Sequence, residues 1–175
     1  MALVEPWSSR PFCGGTLISA QHVMTAAHCV GRNGGNWDVI VGEHYVTSSS
    51  DGTRHAKCRH TPHPQYNRRT KNNDFAIVHL QTPVQIGTRA IPACLPTSSL
   101  SGNFLAGKSL TVSGWGTTSS GGFSPNVLHK VDVPGLTNAE CNRKYGSGSI
   151  TSIMLCAGNT VAGGIDSCQG DSGGR

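Results

Sequence analysis

Residues 13–18 read Cys13-Gly14-Gly15-Thr16-Leu17-Ile18, a glycine pair that can turn the chain followed by an apolar run too short for a helix. The unit recurs. Val39-Ile40-Val41, Phe75-Ala76-Ile77-Val78, Leu110-Thr111-Val112, the stretch from Val127-Leu128 to Val133, and Ile153-Met154-Leu155 are all of strand length. Between them stand Gly14-Gly15, Gly34-Gly35, Thr82-Pro83, Gly121-Gly122 and the polar turns at 48–52 and 146–149. This spacing predicts an all-β protein, a barrel or a sandwich, with no helix of three turns. Residues 89–108, rich in Pro, Ser and Gly, are expected to link two halves, and residues 117–124 to form an exposed Ser/Gly-rich loop. No internal repeat or low-complexity tract is evident.

The totals narrow the function classes. A chain of 175 residues can bury a sizeable core. Charged residues are 13% and glycines number 23, which favours an all-β, turn-rich protein over a helical bundle or a disordered tail. The net charge of +5 comes from scattered residues such as Arg54, Arg59, Arg68, Arg69 and Lys71, without a basic run interleaved with aromatics, so no nucleic-acid partner is expected. Seven cysteines fit an oxidising, extracellular compartment, and their odd number leaves at least one without a mate in this chain. No run approaches the ~18 apolar residues of a membrane helix, and residues 1–7 do not form a signal peptide.

Three stretches carry chemistry. In Thr25-Ala26-Ala27-His28-Cys29 a histidine follows the strand-like Val23-Met24 among small residues that permit close approach. In Asn72-Asn73-Asp74-Phe75-Ala76-Ile77 a carboxylate sits at the mouth of an apolar strand, where it needs a hydrogen-bond donor, and the histidine could be that donor. In Gly170-Asp171-Ser172-Gly173-Gly174 glycines allow a tight loop that projects a serine hydroxyl while successive N–H groups point one way.

Together these stretches resemble the trypsin and chymotrypsin family of serine peptidases, whose catalytic residues come in the order His, Asp, Ser. The resemblance runs through Cys13-Gly14-Gly15-Thr16-Leu17-Ile18, Gly114-Trp115-Gly116 and Cys156-Ala157-Gly158 to the final glycines, nearly the whole chain. It implies one peptidase domain of two antiparallel Greek-key β-barrels: the first in residues 1–88, a linker in 89–108, the second in 109–175. It also implies roles, since the reference description of the Ser-His-Asp triad comes from this family. Ser172 would be the nucleophile, His28 the general base and Asp74 the orienting carboxylate, with the backbone N–H groups of Gly170 and Ser172 forming an oxyanion hole. Serine needs such a base, and histidine, with a reference pKa of about 6.5, takes and returns a proton near neutrality. Asp166, six residues before Ser172, corresponds to the acid that floors the specificity pocket of trypsin-like members and binds a substrate Arg or Lys. Asp171 corresponds to the acid that pairs with the N-terminal ammonium made on activation.

The same resemblance implies disulfides Cys13–Cys29 and Cys141–Cys156, a partner for Cys168 beyond this chain, and a propeptide-linked role for Cys94 in some relatives. Cys58 has no counterpart, and a Cys58–Cys94 bond is left open. His55, Cys58, His60 and His63 do not have a usual zinc spacing. In the loop of residues 43–53, where some trypsins bind calcium, only Glu43 matches clearly, with Ser50 and Thr53 near places where acids would be expected. No metal and no cofactor are expected. The implied activity is a secreted, monomeric endopeptidase acting on proteins or peptides with Arg or Lys before the scissile bond, subject to protein inhibitors, with no membrane partner. The alternatives are a non-catalytic binding or regulatory relative, or an inactive fragment. The chain ends three residues past Ser172, before the strands that close the second barrel in the family, and an Ile-Val-Gly-Gly type of start is absent, so the second barrel is expected to be incomplete and these residues inactive alone; Arg175 stands where the family usually has proline.

Overall fold

The computed structural model describes residues 1–31, 35, 37–47, 51–56, 58–96, 104–118, 121–158 and 171–174. Its elements are β1 (Ala2–Val4), β2 (Pro11–Gly14), β3 (Thr16–Ser19), β4 (His22–Thr25), α1 (Ala27–Val30), β5 (Asp38–Val41), β6 (Thr53–His55), β7 (Arg59–Pro62), β8 (Ala76–His79), β9 (Ser109–Gly114), β10 (His129–Leu136), α2 (Asn138–Tyr145) and β11 (Cys156–Ala157). The strands form three antiparallel sheets in the orders β2-β1-β5-β6, β3-β4-β8-β7 and β11-β10-β9.

The first two sheets enclose one core. Leu17, Val23 and Val78 from one sheet meet Leu3, Val39 and Val41 from the other around Trp37, all buried. Side chains alternate across a strand. Alternate residues of β1 and β5 therefore reach a second cluster, where Ala2, Val4 and Ile40 pack with Val46, Trp115 and Leu128. This explains why Val39-Ile40-Val41 is apolar at every position: the strand is covered on both faces, once by its own half and once by the other. Asp38, buried at the start of β5, is compensated by Arg54, whose Nη1 donates to Asp38 Oδ2 at 2.9 Å.

Polar bonds reinforce the seam between the halves. Trp115 Nε1 donates to the His44 carbonyl at 3.2 Å, the Leu128 N–H donates to the same carbonyl at 2.9 Å, and the Val46 N–H donates to the Asn126 carbonyl at 2.9 Å. At the opposite flank Thr151 Oγ1 donates to Asn72 Oδ1 at 2.8 Å.

The expected runs at Thr16-Leu17-Ile18, Val39-Ile40-Val41, Phe75-Ala76-Ile77-Val78 and Leu110-Thr111-Val112 fall on β3, β5, β8 and β9. Ile153-Met154-Leu155 does not form a strand. It is a turn leading into β11, with Ile153 and Leu155 exposed. As expected, neither helix reaches three turns, but α2 is a well-defined two-turn helix. Thr137 Oγ1 accepts from the Glu140 N–H at 3.1 Å, while the Glu140 carboxylate accepts from the Thr137 N–H at 2.7 Å, a complete capping box.

Candidate active site

Strands β4 and β8 are paired neighbours, with Thr25 opposite Ala76. Three residues past Thr25 the single turn α1 presents His28, and two residues before Ala76 stands Asp74, so strand pairing delivers both to one end of the sheet. Asp74 Oδ2 lies 2.7 Å from His28 Nδ1, and Asp74 Oδ1 accepts from the His28 backbone N–H at 2.9 Å. The second bond fixes the carboxylate as well as the ring. With Nδ1 turned to the Asp74 carboxylate, Nε2 is the nitrogen left to act as the general base. The side chains are 36% and 20% exposed, open enough for a substrate to reach the ring.

The serine arrives from the other half. The Gly14 N–H donates to the Ser172 carbonyl at 2.8 Å, and the Gly174 N–H closes a tight turn on the Asp171 carbonyl at 2.8 Å. Gly173, at φ +79°, lies against Thr25, the Ala26 nitrogen and the Gly14 carbonyl, where a side chain would collide with backbone. Cys13 and Cys29 form a disulfide. Cys29 Sγ sits 3.6 Å from His28 Nε2 and 3.7 Å from the Ser172 carbonyl oxygen, so this bond packs between the base and the backbone of the serine loop. Among the described residues no hydrogen bond joins Ser172 Oγ to His28 Nε2. Asp171 Oδ1 accepts from the Gly116 N–H at 2.7 Å, and a side chain at Gly116 would occupy the space of that carboxylate. Asp166, Cys168 and Gly170 lie outside the described residues.

Cys141 and Cys156 form the second disulfide, fastening α2 to β11. Cys58 is free and buried and Cys94 free and exposed, so the bond left open between them is not made. Burial, with the Asp38 charge, pushes the Cys58 thiol up to about 11, which makes it unreactive. His55, His60 and His63 do not converge on Cys58 as ligands. His55 Nδ1 lies 3.3 Å from Thr82 Oγ1, His60 packs on Trp37 and His63 on Phe75. The grouping of Cys13, His28 and Cys29 offers no metal chelate either, because both sulfurs are spent in the disulfide.

Glu43, only 8% exposed, hydrogen-bonds Asp51, whose Oδ2 accepts from the N–H groups of His44 and Tyr45 at 3.2 and 2.9 Å. Burial and then the Asp51 carboxylate raise Glu43 to about 7, so Glu43 carries the proton the two share. Among the described residues of the 43–53 loop the carboxyl groups are those of Glu43 and Asp51, with the Arg54 charge acting on Glu43, and Ser50 lies outside the described residues.

Comparison with known proteins matches residues 3–174 to the family model "Trypsin". The chain belongs to the trypsin family. Over 169 residues it is 40% identical to "Serine protease 1" of Rattus norvegicus, covering 95% of this chain and 65% of that protein. It is 41% identical to "Serine protease 56" of Homo sapiens over 97% of this chain and 28% of the relative, and 41% identical to "Trypsin" of Xenopus laevis over 95% and 66%. The chain thus spans about two thirds of the length of the shorter relatives and under a third of the human one. The trypsin-family domain is a double β-barrel, with which the three antiparallel sheets agree. Within it, the sequence motifs do not reveal the positioning parts played by the Gly14 and Gly116 N–H groups, because those parts are backbone ones. Nor do they reveal Asp51, whose pairing with Glu43 depends on a loop closing.

Proposed function

We propose that this trypsin-family chain carries the catalytic apparatus of a secreted serine endopeptidase that cuts peptide bonds after Arg or Lys. The observation that carries the reading is the doubly hydrogen-bonded His28–Asp74 pair, with the backbone of Ser172 tied beside it by Gly14. Ser172 Oγ attacks the scissile carbonyl as its proton passes to His28 Nε2. The oxyanion is held by the N–H groups of Gly170 and Ser172, donors that contribute roughly 3–4 kcal/mol each in comparable sites. His28 then returns the proton to the leaving amine, and water hydrolyses the ester by the same steps in reverse. Asp74 holds the ring and offsets its transient charge. Asp166 at the floor of the pocket would accept a substrate guanidinium or ammonium. The roles of Asp166 and Gly170 rest on the motif alone.

Two disulfides in a small domain support an extracellular setting. Among the described residues no helix is long and apolar enough to cross a membrane. Partners of this chemistry are protein substrates, and protein inhibitors that present Arg or Lys to the same pocket. A monomer suffices, since all three triad residues lie in one chain.

The rival reading is a binding protein that keeps the fold without turnover; relatives of that kind usually lack a triad residue, and His28, Asp74 and Ser172 are all present. A fluorophosphonate probe separates the two. Covalent labelling of Ser172 in the protein carrying these residues, abolished by Ser172→Ala, is the expected result; equal labelling of both forms would place the nucleophile elsewhere. Absence of any labelling would favour the binding reading. In the active protein Asp166→Ser should lose far more activity on Arg and Lys substrates than on Phe or Leu substrates, and a uniform loss would remove the pocket assignment.

A further inference from the structure

Strands β4 and β8 carry a second pair of ionisable side chains at the end away from His28 and Asp74. His22 stands directly opposite His79 in the ladder. Directly opposed residues of an antiparallel pair project on the same face with Cβ atoms about 4.5–5.5 Å apart. The two rings meet edge to face, centroids 5.2 Å apart and planes at 80°. Each ring also has one nitrogen beside a hydroxyl on a flanking strand. Ser19 Oγ of β3 is 2.7 Å from His22 Nδ1, and Thr61 Oγ1 of β7 is 3.2 Å from His79 Nε2. With these hydroxyls accepting, the protons reside on those two nitrogens, and lone pairs remain on His22 Nε2 and His79 Nδ1. That is the outer support characteristic of metal-bound imidazoles, whose second N–H is held so that the tautomer and ring orientation are set.

We propose that His22 and His79 form a two-imidazole site for a divalent ion of the zinc, copper or nickel class, its remaining positions filled by water or an external ligand. Imidazole nitrogen suits these ions, whereas calcium and magnesium take oxygen. Metal–nitrogen bonds of about 2.0–2.1 Å to two imidazoles on one ion place the ring centroids about 5 Å apart, the spacing these rings already have. The charged group facing the pair is Arg59, opposite His79 on β7. An ion held here clips together the two strands that deliver the base and its carboxylate, at the end remote from both.

The test titrates zinc chloride into the chain at about pH 7.5, where free imidazole is neutral, and repeats it at about pH 5.5, where protons compete. One ion per chain is expected at the higher pH and a marked loss at the lower. His22→Ala and His79→Gln should each weaken binding about tenfold or more, while His28→Ala should leave it intact. In the unaltered protein substoichiometric nickel should broaden the ring resonances of His22 and His79 before those of the other histidines, a readout that needs no variant to fold. Zinc should also slow hydrogen exchange at the Val23 and Val78 amides. Binding undiminished in the double variant, binding lost in His28→Ala, or nickel broadening centred on another histidine would overturn the proposal.

Discussion

The two halves hold their parts of the site in opposite ways. The first two sheets present His28 and Asp74 from adjacent strands over a core built around Trp37, so side-chain packing underlies the base and its carboxylate. In the second half the buried apolar side chains among the described residues are Trp115, Val133 and Cys141, and Ser172 is tied by one backbone bond from the Gly14 N–H of the first half. One region is rigid because it is filled. The other is ordered where it is tied.

The largest expected effect probes the packed side. Asp74→Asn keeps the shape but removes the charge that holds the Nδ1–H tautomer of His28, and kcat should fall about ten-thousandfold, the loss associated with this substitution in the trypsin-family triad itself. Steady-state kinetics with KM little changed checks it; a loss confined to KM would mean that Asp74 only shapes binding.

The contrast in packing has its own measurement. Trp37→Ala should cost about 3–5 kcal/mol in urea unfolding, whereas Val133→Ala should cost about 1.5 kcal/mol, because fewer methylenes are lost and the thinner surroundings can close on the gap. Equal costs would erase the distinction between the halves.

A smaller effect concerns the Glu43–Asp51 pair at their seam. A carboxyl raised to about 7 when folded, against an unfolded value of 4.5, keeps its proton in the native state while the unfolded chain has lost it. Stability attributable to Glu43 is therefore full below about pH 4.5 and declines as pH rises to about 7, by about 1–2 kcal/mol. Asp51, held below the ordinary carboxylate range by its bond to Glu43, acts in the opposite sense at lower pH. Glu43→Gln should flatten the decline between pH 5 and 8 in thermal melts, and an unchanged slope would remove Glu43 as its source.

How much of this was legible beforehand follows the same division. Strands whose apolar residues face a core, such as β5 and β8, announce themselves as runs, and the triad stretches stand out because glycine and small residues crowd a functional side chain. β6 and β7 carry Thr53, Arg54, Arg59 and His60, with no run at all; they are strands because β5 and β8 offer them edges. β1, three residues long, was equally silent, since its strand character comes from being covered on both faces. Ile153-Met154-Leu155 misleads for the converse reason: apolar composition without a partner strand leaves a turn. The two-turn α2 had a usable signal in Thr137 and Glu140, three apart, the spacing of a capping box. Asp171 was legible as functional, but its bond to the Gly116 N–H depends on two distant loops meeting.

Because β5 lends Val39 and Val41 to one cluster and Ile40 to the next, it is a party wall rather than an outer wall. Neither half can melt and leave the other whole: loosening the second exposes Ile40 and Val4, and loosening the first removes the surface on which Trp115 rests. Such coupling merges what would be two local transitions into one cooperative unit. The hinge-like independence that separately packed halves would allow is thereby given up.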